Sequence, residues 1–437
     1  MPSVGGAKAH YDLVVLGAGP GGYSAAVAAA HRGATVALIE RSQLGGTCLH
    51  RGCIPAKSMF QSTIMREPFG PATERKLRVI DELHGQVQKL LSHPKITVIH
   101  GDGYIASPGT VCVTNGEDTT VTWDRLVIAT GSSPFVPPDL AGRPNVMTSD
   151  GVVQLREVPR RVVVLGGGYT GSEYGGILAH YGSEVTIVEL GARILKTEDA
   201  DIIGVVTDEL SHRGVRILTE THLEDAGLGE PDLLLVGIGR RPDSKGIGLE
   251  ELGIRMGAKN GILVNTRMET NVDGVYAIGD VIAEEWRLAH VAEKEATIAV
   301  RNALGETCEV CYDVIPSTIF TDPMVASVGK REFELERGTY VVGKARHSDN
   351  SMAHCCNDTR GFVKVLVGKS EPHRILGAAA VGDHHVDVHE IAMAMECGAT
   401  VRTVAEMVHF HPSRNEAAKM AAQNAVRKLQ SRERRER

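Results

Sequence analysis

Residues 11–22 read Tyr11-Asp12-Leu13-Val14-Val15-Leu16-Gly17-Ala18-Gly19-Pro20-Gly21-Gly22, and an alanine-rich run leads on to Thr35-Val36-Ala37-Leu38-Ile39-Glu40. The unbroken apolar run 13–16 suits a buried strand. Gly17, Gly19 and Gly22 then supply the tight turn, the close backbone approach and the close helix–strand packing that lead such a strand into a helix. The run 36–39 is the second parallel strand, and Glu40 stands at its tip. Bare amides at the helix start can hold a pyrophosphate, and the acid can accept from a ribose hydroxyl. Three glycines alone are a weak signal. Placed strand, turn, helix, strand, acid, they predict a doubly wound α/β unit that binds a dinucleotide.

The pattern recurs. Residues 162–165 form an apolar run followed by Gly166-Gly167-Gly168-Tyr169-Thr170-Gly171-Ser172-Glu173, and the run 185–188 ends at Glu189. Two such units in one chain suggest two adenine dinucleotides handled together, with electrons passing between them. Glu189 bears on the choice of nicotinamide. A carboxylate about 4 Å from a 2′-phosphate would be repelled by up to about 4 kcal/mol per charge pair at intermediate dielectric. NAD is therefore expected rather than NADP, with Arg193 close enough in sequence to temper the preference.

Between the fingerprints lies Gly45-Gly46-Thr47-Cys48-Leu49-His50-Arg51-Gly52-Cys53-Ile54-Pro55-Ala56-Lys57. On one helix the two cysteines would sit about one turn apart, so that their sulfurs can meet. A helix opening here would also favour thiolate. Two buried structural cysteines would be the plainer reading of a lone C-x4-C. The position just after a dinucleotide fingerprint favours a redox pair.

Composition narrows the classes further. A chain of 437 residues has room for about three domains. Its net charge of −7 provides no global basic field for nucleic acid, and the Arg/Glu-rich tail from Arg427 reads as a solvated helix end. No apolar run approaches the roughly 18 residues of a membrane span, and residues 1–10 lack the apolar core of a secretory signal. Eight scattered cysteines do not make a disulfide scaffold, which points to the cytoplasm or another reducing compartment.

Along the rest of the chain, residues 76–91 have helical spacing, and 97–99 and 111–114 read as short strands. Leu126-Val127-Ile128-Ala129-Thr130-Gly131-Ser132 reads as a buried strand stopping at a glycine turn, and the proline-dense 134–144 as a linker. Residues 233–238 form a strand ending at Gly239. A further strand ends in Gly279-Asp280, putting a carboxylate where α/β sheets bind ligands. Beyond Glu306, the runs 363–367 and 375–381 read as paired strands, and Val388, Ile391, Ala392 and Met395 as a helix stopped by Gly398. His411 and Glu416 close the set: a carboxylate-held histidine is a common general acid–base near neutral pH, although His-x4-Glu alone is more often a surface pair capping a helix.

Taken together, these residues resemble the FAD-dependent pyridine nucleotide–disulfide oxidoreductases, and within them the dihydrolipoamide dehydrogenase branch. The resemblance runs from Leu13 to about Ala425. It implies a glutathione reductase-like α/β fold: two Rossmann-like dinucleotide-binding domains plus a C-terminal α+β dimerisation domain. The FAD domain would span 1–144 and 273–304, the NAD domain 145–272, and the interface domain 305–437. Cys48 would be the interchange thiol and Cys53 the thiolate stacked on the flavin. Lys57 would pair with Glu173 near the flavin, and Tyr169 would be the gate that nicotinamide displaces. FAD would lie against Gly17, Gly19, Gly22, Glu40, Gly46, Thr47, Lys57, Gly103, Thr130, Gly131, Asp280 and Ala289. NAD would lie against Gly166, Gly168, Gly171, Glu189 and Gly239. His411 and Glu416 would serve the partner subunit's disulfide, which implies a homodimer.

Some features depart from that pattern. The stretch between Leu218 and Leu233 is short, as if a hairpin had been removed. His50 replaces a usual Asn; a plain surface substitution is the favoured reading, retuning of the disulfide the other. Cys308-x-x-Cys311 and the vicinal Cys355-Cys356 are extra thiols, and neither they nor His373, His384, His385 and His389 are expected to form a metal site. The leading expectation is oxidation of dihydrolipoamide, free or on a lipoylated carrier protein, by NAD+. The alternatives are an NAD(P)H-consuming reductase of another disulfide, a metal or a small molecule, and a flavin-containing scaffold without turnover.

Overall fold

The structure is a computed structural model and describes residues 9–114, 119–284, 286–383 and 386–436; the first eight residues and His384 and His385 lie outside them. Strands Ile96–His100, Val36–Glu40, Ala9–Leu16 and Thr119–Ile128 run parallel in that order, and Val275–Ala277 adds itself beside the last. Leu13 to Leu16 and Val36 to Ile39 are at most 2% exposed, so both faces of this sheet are covered, as the lack of alternation required. The chain thus returns about 150 residues later to complete its first sheet (an interval set by tertiary packing, not by local pattern).

The strand Asp102–Ser107 had no signal in the sequence. It pairs antiparallel with Thr110–Thr114, which joins the same sheet beside Thr119–Ile128, and a side chain on Gly103 would press within 2.9 Å of Leu16. Packing of this arm of the sheet over Leu16 and Ile39 of its parallel strands is therefore the visible reason for glycine there.

The second sheet is parallel throughout, in the order Arg216–Leu218, Glu184–Val188, Arg161–Leu165, Leu233–Val236, Val146–Thr148. Val162 and Val164 face a core that includes Ile177 and Ile203 from the helices Tyr169–His180 and Ala200–His212. Val163, Val188 and Leu234 face a smaller cluster. That second cover is thin: between Leu218 and Leu233 only a single tight turn, Glu224–Ala226, has regular form. The proline-dense stretch is more than a linker, because Ser132–Pro134 pairs with Arg240–Pro242 and buried Leu140 joins the small cluster. Leu249, Ile254 and Ile262, expected within the second unit, pack instead into the core of the first sheet.

The C-terminal part is a five-stranded antiparallel sheet, Ser317–Ile319, Met324–Gly329, Ile375–Gly382, Phe362–Gly368 and Tyr340–Arg346. The last helix, Glu416–Glu436, crosses it on alanines: Ala417, Ala421, Ala422 and Ala425 have no exposed surface. Gly343 permits the crossing, since a Cβ there would meet the Ala421 carbonyl at 2.0 Å. Among the described residues no helix is long and apolar enough to cross a membrane.

Candidate active site

The first fingerprint behaves as its glycines dictate. Gly17 has φ +97°, and a Cβ on Gly22 would lie 1.8 Å from the Gly17 carbonyl. Nothing lies within 4 Å of a Cβ built on Gly19, so the side that should face a pyrophosphate is open. Glu40 accepts the Ala18 amide at 2.6 Å and the Ser42 amide at 2.8 Å, which fixes its carboxylate while leaving further lone pairs for a ribose. Gly46 packs its backbone directly on this loop, 2.7 Å from Gly19 Cα to a Cβ that glycine lacks.

The redox stretch is two helices, not one. Thr47 and Cys48 lie on Gly46–His50, and Cys53 opens Cys53–Ile64, with Gly52 at φ −122°, ψ −112° between them. The sulfurs interact across the break: both are free thiols, and Cys48 donates its proton to Cys53. That hydrogen bond is the main reason Cys53 is lowered to about 7, with the Lys57 charge assisting against burial. Cys48, as the donor and half-buried, is pushed up. The pair is thus divided into one thiol and one ready thiolate.

Lys57, one turn along the Cys53 helix, reaches Glu173 at 2.7 Å. The other Glu173 oxygen accepts the Phe320 amide at 3.0 Å, and the Lys57 ammonium lies 4.6 Å from the Phe320 ring centroid. Three parts of the chain therefore orient one ammonium. His50 is not a plain surface residue. It is half-buried, and its Nε2 bonds the Leu44 carbonyl at 2.9 Å, an oxygen that His84 Nδ1 also reaches at 3.1 Å. Burial lowers the His50 pKa.

At the end of the strand Thr119–Ile128, Thr130 donates to the Asp243 carbonyl at 2.8 Å, and Gly131 turns with φ +76°. Asp280 accepts from Ser132 at 2.6 Å, and Ala289 opens the helix Ala289–Ala303. Sequence reasoning passed over Glu295 on that helix. Fully buried, it accepts from the Gly279 amide at 2.6 Å and from the Tyr312 hydroxyl at 2.7 Å, which sets the backbone next to Asp280. Burial raises its pKa to about 7. A carboxylate on the inner face of an otherwise amphipathic helix was the available signal.

The second fingerprint repeats the first. Gly166 turns with φ +101°, a Cβ on Gly171 would lie 1.9 Å from the Gly166 carbonyl, and Gly168 is open. Glu189 accepts the Gly167 and Gly191 amides, each at 2.7 Å. Arg193 lies over the Phe333 ring at 5.8 Å. Gly239 makes the turn after Leu233–Val236 with φ +113° and open space beside it. Tyr169 is the first residue of the fingerprint helix.

His411 and Glu416 do meet. The ring Nδ1 lies 3.1 and 3.2 Å from the two carboxylate oxygens, and Glu416 also accepts the Ser413 amide at 2.9 Å, which lowers its pKa. The carboxylate thus caps its helix and holds the histidine at once. The imidazole is exposed, and no hydrogen bond or ion pair joins it to the cysteines of its own chain among the described residues. His409, nearby, pairs with Glu390 at 3.2 Å.

Among the described residues no hydrogen bond links the extra thiols to Cys48 or Cys53. Cys308 is held by Asn302 through its amide at 3.0 Å, while Cys311, Cys355 and Cys356 are exposed. His373 is buried and His389 bonds Asp387. Among the described residues one carboxylate group could hold a cation, Asp199, Asp201 and Glu332, and the Lys364 ammonium lies 2.6 to 2.8 Å from all three.

Residues 11–296 match the family described as Pyridine nucleotide-disulphide oxidoreductase, and 315–422 match that family's dimerisation domain. The chain belongs to the pyridine nucleotide-disulphide oxidoreductases. As such the oxidoreductase uses FAD and NAD(H), and the open Gly19 and Gly168 cradles with their amide-held acids fit those two groups. It is 33% identical to a dihydrolipoyl dehydrogenase of Geobacillus stearothermophilus, over 97% of this chain and 98% of the relative. It is 36% identical to a leghemoglobin reductase of Glycine max, over 94% and 87%. Among solved structures, the Cu(II) complex of the HOCl-induced flavoprotein disulfide reductase RclA from Escherichia coli superposes with a TM-score of 0.89 at 29% identity, covering 95% and 99% of the two chains.

Proposed function

We propose that this oxidoreductase oxidises dihydrolipoamide, free or on a lipoylated carrier, with NAD+, as a homodimer in which His411 and Glu416 serve the partner subunit's cysteines. The observation that carries this reading is the dyad. A dithiol must lose a proton before it can attack a disulfide, and a carboxylate-held imidazole at the surface is the base for that step. His411 takes the proton. The substrate thiolate attacks Cys48 of the oxidised pair, the Cys48–Cys53 bond breaks, and Cys53 leaves as the thiolate its surroundings favour. The second substrate thiol, deprotonated in turn, displaces Cys48, so the substrate departs as a disulfide and both cysteines are reduced. FAD, when bound, supplies a two-electron path from Cys53 to the nicotinamide. Gly17, Gly19, Gly22, Glu40, Lys57 and Asp280 would hold it, and Gly166, Gly168, Gly171 and Glu189 would hold NAD.

A second reading, an NAD(P)H-consuming reductase of another disulfide or of a metal, draws on the likeness to RclA. Steady-state rates with dihydrolipoamide and NAD+ set against those with glutathione disulfide or Cu(II) and NADPH decide between the two. In the first assay His411→Ala should cost about 10²- to 10⁴-fold, the usual worth of a positioned base. A variant as fast as the parent returns the dyad to a helix cap.

A further inference from the structure

Tyr169 is tied down by a chain of side chains that no cofactor contact explains. Thr197 donates to the tyrosine hydroxyl at 3.3 Å, and that hydroxyl reaches Glu198 Oε1 at 3.4 Å. Glu198 has no exposed surface. It is gripped by Arg331, whose Nε lies 3.0 Å from one oxygen and whose Nη2 lies 3.1 Å from the other. Ser327 adds a bond to Glu198 at 3.2 Å and accepts from Arg331 at 2.6 Å.

The two ends of this chain belong to different layers. Tyr169, Thr197 and Glu198 flank the second dinucleotide sheet, while Ser327 and Arg331 come from the C-terminal sheet and the turn that follows its strand Met324–Gly329. The neighbouring residues repeat the grip, with Lys364 on Asp199 and Asp201, and the Glu332 amide on Asp199 at 2.9 Å. A buried carboxylate clamped by a bidentate guanidinium has little freedom to follow a moving ring. Burial, then the charge of Glu198, raises the tyrosine pKa, so the hydroxyl keeps its proton and stays a donor.

We propose that Glu198, clamped by Arg331, is a positioning residue for Tyr169, setting how readily the nicotinamide ring displaces the tyrosine and linking that displacement to the dimerisation domain. The inference rests on the reading of Tyr169 as the nicotinamide gate. In the tethered state the ring is held at the head of its helix. Swinging it away forfeits the hydroxyl contacts, so apparent nicotinamide affinity is reduced by the fraction of molecules already open. Both contacts are long for hydroxyl hydrogen bonds, so a modest effect is expected.

The test uses the flavin-loaded enzyme and NADH-dependent reduction of ferricyanide, which needs no dithiol substrate and does not involve His411. Tyr169→Phe and Glu198→Gln should each lower KM for NADH by about two- to fivefold, the worth of a weak hydrogen bond, with kcat moving less than KM. Tyr169→Phe/Glu198→Gln should shift no further than either change alone. Should Glu198→Gln leave Arg331 too poorly paired to fold, Glu198→Met/Arg331→Met removes both charges together and should give the same shift. Effects that multiply in the double variant, or a KM at the parent value when Glu198 is changed, overturn the proposal. A parent enzyme that oxidises NADH but not dihydrolipoamide removes the proposed substrate while leaving the tether to be judged on these variants; one that does not oxidise NADH at all removes both.

Discussion

Glu40 and Glu189 stand at the same place in two copies of one device, and the copies differ in what surrounds them. Each acid takes the amide of a fingerprint residue, at 2.6 Å from Ala18 and 2.7 Å from Gly167. Each also takes an amide from its own loop, Ser42 or Gly191. The third glycine of each fingerprint sits under 2 Å, Cβ to carbonyl, from the first. The surroundings are less alike. Among the described residues the first sheet has seven strands, and its strand Val36–Glu40 has every residue buried. The second has five, and beyond its thin cover a cavity of about 310 Å³ opens among Arg161, Glu184, Arg216 and Leu228. The cradle is local chemistry that can be copied; the cover is tertiary and is where the copies diverge. A deeply enclosed unit suits a resident cofactor, a lightly covered one a cofactor that comes and goes.

The comparison breaks most visibly at the third glycines. Gly22→Ala and Gly171→Ala each force a methyl group into a backbone carbonyl, an overpacking cost of about 1–3 kcal/mol or more. Gly22→Ala should yield protein without bound flavin. Gly171→Ala should stay yellow while affinity for NADH falls about ten- to a hundredfold, as isothermal titration would read. Loss of flavin in both variants would show that the units are not separable. The acids come next. Glu189→Ala should narrow the preference for NAD over NADP by about tenfold, since only part of the charge repulsion survives solvent screening. Unchanged discrimination would move the selectivity to another residue.

A smaller effect tests the redox loop that rests on the first unit. With the Cys53 pKa lowered to about 7, the thiolate is favoured in the folded protein. Its stabilising contribution is complete above the ordinary thiol range and is lost as pH falls through about 7. Ultraviolet thiolate absorbance of the reduced protein should therefore rise with a midpoint near 7 that Cys53→Ser abolishes. Cys48→Ser should move that midpoint upward only slightly, because a serine hydroxyl replaces the thiol donor. Smallest of all is a difference in protection: amides in 219–232 should exchange with solvent sooner than those of Thr119–Ile128, whose strand is paired on both sides. Equal protection would mean that the thin cover is as firm as the thick one.

Much of this molecule was legible because its chemistry is local. A strand, a glycine turn, a helix start and an acid lie within about 30 residues, so their order in the chain is their order in space, and both strand–turn–helix–strand units form at those residues. Thr47, Cys48 and Cys53 were legible as a group, yet the helix break at Arg51-Gly52 was not: the backbone angles of these two residues start Cys53 on a second helix. The family resemblance points to Lys57 with Glu173 and to His411 with Glu416, pairs that lie 2.7 and 3.1 Å apart. Spacing could not have done so for the first pair, whose members come from separate units.

From its sequence alone the chain was committed to two strand–glycine turn–helix units each ended by an acid, a neighbouring thiol pair and a histidine held by a carboxylate, because glycine sterics, helix amides and short-range hydrogen bonds act over a turn or two of chain. Tertiary structure alone decided that Val275–Ala277 completes the first sheet, that Glu295 sets the backbone beside Asp280, and that Arg331 clamps the carboxylate tethering Tyr169. Those contacts join groups far apart in sequence, and only the packing of whole layers brings them within hydrogen-bond reach.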